Sequence, residues 1–111
     1  MRIVRTRGFD RDLKRVGASE PDLAGLIAEL IENPQAGDRI IGLRGVRKVR
    51  FSIPSRRIGK SGGGRAIYLL IQRDDVIFLL LAYAKNEQSD LSTRQRQQVL
   101  AFLEDLDNGQ D

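Results

Sequence analysis

Arg65-Ala66-Ile67-Tyr68-Leu69-Leu70-Ile71-Gln72-Arg73, then Asp74-Asp75, then Val76-Ile77-Phe78-Leu79-Leu80-Leu81-Ala82-Tyr83-Ala84-Lys85 reads as strand, tight turn and strand. The first run is rich in branched and aromatic residues. The two aspartates are short enough for a hairpin. The second run is apolar on both faces, which predicts a central strand covered by helices rather than one with a wet side. This hairpin fixes the class, because what flanks it must supply the covers.

Upstream, Phe9, Leu13 and Val16 recur at helical spacing and Gly17 stops them. Ser19 is a helix cap, with Pro21 in the first turn and Asp22 three residues after the serine. Leu23, Leu26, Ile27, Leu30 and Ile31 make the apolar stripe of that second helix, which ends at Asn33-Pro34. The two short helices predict an αα-hairpin on a sheet. Ile3 to Thr6 is a short strand, and Ile40 to Gly45 a strand or a glycine-broken loop. Arg47 to Ile53 alternates, with Val49, Phe51 and Ile53 on one side and Lys48, Arg50 and Ser52 on the other. Ser55 to Gly64 is a flexible cationic connection. Ser92 caps a last helix carrying Val99, Leu100, Leu103 and Leu106, closed by Asn108-Gly109. The order β-α-α-β-β-β-α predicts an α+β domain with a twisted, mainly antiparallel sheet, and residues 1–111 read as a single domain.

The 111 residues include neither cysteine nor histidine. That removes disulfides, thiolate nucleophiles, Cys/His metal sites and imidazole acid–base catalysis. Any catalysis must then use Lys, Arg, Tyr, Asp, Glu, Ser or backbone groups. The longest apolar run, Val76 to Ala84, is half of a membrane span, and the first residues lack an export signal. A cytoplasmic protein without a membrane partner is the expectation.

Charge is segregated. Residues 39 to 73 hold ten Lys/Arg and no Asp/Glu, while the other 76 residues hold nine Lys/Arg against fifteen Asp/Glu. A one-sign block in an otherwise acidic chain is an electrostatic footprint for a polyanion. A merely solvated basic surface is the plainer alternative. The acidic tail Glu104, Asp105, Asp107 and Asp111 reads as a solvated helix end or as a mask over the basic face.

Three groupings carry possible chemistry. Lys48 and Arg50 stand side by side on the open face of their strand, where a phosphate between them would relieve their repulsion. Gly59-Lys60-Ser61-Gly62-Gly63-Gly64-Arg65 contains Gly-Lys-Ser, yet Pro54 occupies the place of the first P-loop glycine and a strand follows instead of a helix, so a nucleotide site is rejected. The loop reads instead as a side-chain-free approach for an RNA backbone, with Arg65 at the start of a rigid strand, or simply as a floppy hairpin loop. Tyr83 and Lys85 share a face of the last strand at its end, Tyr83 able to stack on a base and Lys85 a candidate base.

Taken together, the chain resembles the RelE/HigB toxins of type II toxin–antitoxin systems, closest to the HigB-like branch. The resemblance rests on Glu32-Asn33-Pro34, on Leu43-Arg44-Gly45-Val46-Arg47-Lys48-Val49-Arg50, on Gly59 to Tyr68, and on Tyr83-Ala84-Lys85-Asn86-Glu87, with Phe9 and Asp90-Leu91-Ser92 in support. It implies ribosome-dependent cleavage of mRNA without a metal, by attack of a ribose 2′-OH on the adjacent phosphate. It also implies neutralisation by a cognate helix-turn-helix antitoxin in a toxin–antitoxin hetero-oligomer. By position it makes Arg65 the phosphate clamp, Lys48 or Lys85 the base, Lys60 a positioning contact, and Arg47, Arg50 and Asn86 RNA contacts. Some relatives have arginine where this chain has Asn86, and tyrosine where it has Ser92. The general acid is therefore open, with Tyr83 and Lys85 as substitutes. Two other readings stay beside this one: a ParE-like toxin that acts on DNA gyrase without cutting RNA, and a plain RNA-binding module.

Overall fold

The apolar run that decided the class is an interior strand with cover on both sides. A computed structural model describes residues 1–109. Its elements are β1 (Arg2–Arg5), α1 (Arg7–Val16), α2 (Glu20–Glu32), β2 (Asp38–Arg39), β3 (Val46–Phe51), β4 (Gly64–Ile71), β5 (Val76–Ala84) and α3 (Thr93–Asn108). The sheet order is β1-β5-β4-β3-β2. Only β1 runs parallel to its neighbour; the other three pairings are antiparallel.

Each helix starts where its sequence supplies a cap. Thr6 accepts from the Phe9 N–H, and Gly17 closes α1 in the left-handed region at φ 77°. Ser19 and Asp22 form a reciprocal capping box at α2, and Ser92 and Gln95 another at α3. α1 and α2 bury Phe9, Leu13, Leu23, Leu26 and Leu30 against Val49, Phe51, Ala66, Tyr68, Ile77 and Leu79 on one face. α3 buries Val99 and Leu103 on the opposite face, against Val46, Ile67, Leu69, Leu81 and Tyr83. The predicted α+β class and the αα-hairpin on one face are present.

Four details differ from the sequence reading. The strand near Ile40 is shorter and earlier: Asp38 and Arg39 pair with Lys48 and Arg47, and 40–45 is a loop. The turn at Asp74-Asp75 is longer, because a 3-10 turn at Gln72–Asp74 precedes Asp75, which takes φ 52°, a conformation aspartate tolerates better than most residues. The connection after β3 is pinned rather than free. Ile53 and Ile58 bridge, the Ser55 N–H donates to Asp22 Oδ1 at 3.1 Å, and its hydroxyl donates to the same carboxylate. In the acidic tail, Asp107 pairs with Arg44 at 2.6 Å, and Asp111 lies outside the described residues.

A fifth detail positions the site. In the β4–β5 ladder Ile67 pairs with Leu81 but Tyr68 pairs with Leu79, so Leu80 is an extra residue. Such a bulge reverses the alternation that follows it. Ile77 and Leu79 face α1 and α2, whereas Leu81 and Tyr83 face the α3 side.

Candidate active site

The register lines up one row across three strands. Arg50 of β3 stands opposite Arg65 of β4, and Arg65 opposite Tyr83 of β5. In the next row Lys48 stands opposite Ile67. Strand alternation puts Lys48, Arg50 and Arg65 on the α3 side of the sheet, toward the end that α3 leaves open. They line a cleft of about 420 Å³ together with Glu29, Lys60 and Ser89.

Arg65 is the distinctive member. It is only 8% exposed, yet no carboxylate pairs with it among the described residues. Its guanidinium donates to backbone carbonyls: Gly64 at 3.0 Å, Lys60 at 3.3 Å and Ser61 at 3.4 Å. Burial, and then the charge of Arg50, hold its pKa below the ordinary arginine value. A buried cation without a counter-charge costs several kcal/mol in general, and an anion entering the cleft relieves that cost. The three carbonyls fix where the guanidinium points, and an aimed guanidinium is suited to bidentate recognition of a phosphate.

Tyr83 is fully buried, and its hydroxyl has no hydrogen-bond partner among the described residues. Burial raises its pKa, the charge of Asp90 adds to this, and Arg65 opposes both. The ring is packed in the core on the α3 side. This corrects the stacking role: the ring presents no face to a base, and the hydroxyl, a neutral donor, is closed to solvent as well.

The remaining residues divide. Lys48 Nζ lies 3.8 Å from Asp90 Oδ1, a neighbour whose partnership with Lys48 no local pattern announces. Lys60 pairs with Glu29 at the mouth of the cleft. Lys85 continues the ladder by one bond, its N–H donating to the Gly63 carbonyl at 2.9 Å, and its side chain is exposed beside exposed Asn86 in the turn that follows. Arg47 is apart from the rest. It shares the face of Val49 and donates to the Gly37 carbonyl at 3.2 Å, because a residue one place out of step with Lys48 must point to the other side. The glycines before Arg65 also have a packing role. A Cβ on Gly64 would lie 2.4 Å from the Phe51 ring, and one on Gly63 would lie 2.3 Å from the Phe51 carbonyl oxygen.

Among the described residues no group of three or more acidic side chains is placed to hold a metal ion, and no helix is long and apolar enough to cross a membrane. A second groove of about 460 Å³ at the opposite end of the sheet is lined by Leu69, Ile71 and Phe78, but its Arg44 and Arg73 already face Asp107 and Asp74.

A family model described as the RelE toxin of the RelE/RelB toxin–antitoxin system matches residues 1–109. Three solved structures share the fold. A double arginine-to-alanine mutant of the E. coli toxin RelE in the free state is 14% identical, covers 90% of this chain and 94% of that one, and superposes with a TM-score of 0.62. The isolated E. coli RelE toxin is 16% identical over 91% and 97% of the two chains, with a TM-score of 0.56. The intact E. coli RelBE toxin–antitoxin complex is 17% identical over 74% and 93%, also at 0.56. The whole-length family match, on a fold with a cationic cleft at its open sheet end, places this chain in the RelE toxin family.

Proposed function

We propose that the protein is a ribosome-dependent mRNA endonuclease that works without a metal, and that a cognate antitoxin silences it. The observation that carries this reading is Arg65: a guanidinium held by three carbonyls, without an acidic partner among the described residues, in a cleft it shares with Lys48 and Arg50. In this reading Arg65 grips the scissile phosphate and stabilises the charge that grows on it. Lys48 or Lys85 takes the proton of the 2′-OH, the 2′ oxygen bonds to phosphorus, and the bond to the 5′ oxygen breaks. Of the two candidate acids, Tyr83 and Lys85, this reading takes the Tyr83 hydroxyl: closed to solvent in the free protein and kept protonated by burial, it is reached by the leaving oxygen when RNA fills the cleft beside Arg65 and gives that oxygen its proton. The products are a cyclic phosphate and a free 5′-OH. Arg50, Lys60 and Asn86 contact the RNA around this centre. Orientation of the mRNA by the ribosome supplies much of the rate.

The antitoxin partner is proposed from family membership and from the RelBE complex among the structural matches. Its helix-turn-helix region, the hetero-oligomer it forms and the placement nearest the HigB-like branch rest on the sequence resemblance, and the cytoplasmic setting follows from the ribosome as the place of action in this reading.

The test is induced expression of wild type and Arg65→Ala, with primer extension on cellular mRNA. Codon-phased cuts with wild type and none with the variant support the reading. Growth arrest with intact mRNA and failing DNA supercoiling refutes it in favour of a gyrase-directed toxin.

A further inference from the structure

Pairing between β1 and β5 stops at Leu79, so the outer edge of β5 runs on past its partner. Side chains from the N-cap of α1 and from its face toward β5 occupy that edge instead. The Thr6 hydroxyl reaches the Leu79 and Leu80 carbonyls at 2.9 and 3.1 Å. The Ala82 N–H donates to buried Asp12 Oδ2 at 3.0 Å, and the Ala82 carbonyl accepts from Arg15 Nη2 at 2.9 Å. Arg15 also pairs with Asp12. The same guanidinium reaches forward to Glu87, with Nη2 2.9 Å from Oε1 and Nε 3.3 Å from Oε2. Glu87 Oε1 in turn accepts the Ala84 N–H at 2.9 Å. The turn itself closes on the Ala84 carbonyl, which accepts from the N–H groups of Glu87 and Gln88.

We infer that Arg15 and Glu87 are positioning residues that fix the turn carrying Lys85 and Asn86, the segment that leads into Ser89 of the cleft. The inference rests on the nuclease reading above, which places RNA there. One guanidinium ties a buried helical carboxylate, a strand carbonyl and the carboxylate two residues beyond Lys85 into a single brace. The Arg15 and Glu87 side chains are 41% and 33% exposed. Ion pairs so open to water contribute little to global stability. Their effect is local: they decide whether the segment after Ala84 holds one conformation or samples several, and a reacting group that samples several loses rate rather than binding. Asp12 anchors the fixed end of the brace, and Glu87 is the end that can be removed without opening the core.

The experiment uses purified toxin and mRNA on programmed ribosomes, with Glu87→Ala, Glu87→Gln, Lys85→Ala and the double variant Lys85→Ala/Glu87→Ala. Glu87→Ala is expected to lower kcat about tenfold, with KM changed less than about twofold, an almost unmoved melting temperature and faster amide exchange at Lys85 and Asn86. Glu87→Gln keeps an acceptor for Ala84 and loses less. The double variant is expected to be no slower than Lys85→Ala alone, because Glu87 acts through the turn. Undiminished kcat with unchanged exchange at 85–86 overturns the inference, as does a fully additive loss in the double variant. Should wild type cut no mRNA, the nuclease reading falls, and the exchange comparison alone decides the brace: faster exchange in Glu87→Ala upholds it and unchanged exchange refutes it.

Discussion

Arg65 and Tyr83 stand directly opposite each other in the β4–β5 ladder, a buried guanidinium and a buried phenol with, among the described residues, no carboxylate paired to the first and no hydrogen-bond partner for the second. The bulge at Leu80 creates the relationship. Uninterrupted alternation from Leu79 would send Tyr83 toward α1 and α2, leaving Arg65 to face an alanine. The fold thus holds two polar groups under-satisfied at one place, which is expensive unless a ligand completes them.

The two buried tyrosines separate structure from function. The Tyr68 hydroxyl donates to the Pro34 and Ala36 carbonyls at 3.0 and 2.6 Å, and its pKa is pushed up to about 12. Tyr68→Phe is expected to cost about 1–2 kcal/mol in urea unfolding. Tyr83→Phe removes a hydroxyl with no hydrogen-bond partner among the described residues and is expected to fall within about 0.5 kcal/mol of wild type while slowing mRNA cleavage at least about tenfold. Equal destabilisation by both substitutions would show that Tyr83 serves the fold.

Arg65 sets stability against activity. Arg65→Met removes a desolvated cation and fills its space with an apolar chain. Stability is expected to hold or to rise by about 1–2 kcal/mol, with cleavage lost. A variant that unfolds more readily than wild type would mean that the three carbonyl bonds outweigh the desolvation cost.

Glycines of the loop before β4 divide by position. Gly64→Ala drives a methyl into the Phe51 ring and is expected to cost about 1–3 kcal/mol. Gly62→Ala meets only Ile58 Cγ2 at 3.7 Å, so its melting temperature is expected to match wild type. Thermal denaturation of both decides the point, and similar melting temperatures would contradict the packing argument.

Acid stability has a named source in Asp22. Burial alone would raise its pKa, but hydrogen bonds from Ser19 and Ser55 overcome that and hold it at about 2, below the ordinary aspartate value of 3.8. A carboxyl depressed in the folded state stabilises fully above its unfolded pKa, and that contribution is lost as pH falls through the folded value. Asp22 therefore contributes above about pH 4, and its contribution drains away toward about pH 2. Asp22→Asn is expected to flatten this part of the stability–pH curve. An unchanged acid limb would locate the sensitivity elsewhere.

Much of this was legible in the sequence because it is local. Ser19 with Asp22 announces α2, Val49 and Phe51 announce the buried side of β3, and the unbroken run after Val76 announces cover on both faces. Lys48, Arg50 and Arg65 were readable as cations on strands. Their arrival in one cleft depends on the register of β3 against β4, which no short pattern encodes. Arg47, which the resemblance grouped with them as an RNA contact, stands on the opposite face of β3, because neighbours in sequence point to opposite faces of a strand. The bulge at Leu80 arises from the fit of two long apolar strands, so the facing of Tyr83 was hidden. The partnerships Lys48–Asp90 and Arg15–Glu87 join residues 42 and 72 positions apart, and only the fold brings them together. Gly63 and Gly64 looked like a loose approach because their neighbour, Phe51, lies on another strand.

The central claim is that Arg65 is a phosphate clamp for RNA cleavage. Its most direct test is single-turnover cleavage of a defined mRNA on programmed ribosomes by wild type, Arg65→Lys and Arg65→Met, each verified as folded. The account predicts rapid cutting by wild type that leaves a cyclic phosphate, a loss of at least about a hundredfold for Arg65→Lys, whose point charge cannot replace a fork, and no cutting by Arg65→Met. Intact mRNA with wild type, or cutting by Arg65→Met at the wild-type rate, would contradict it.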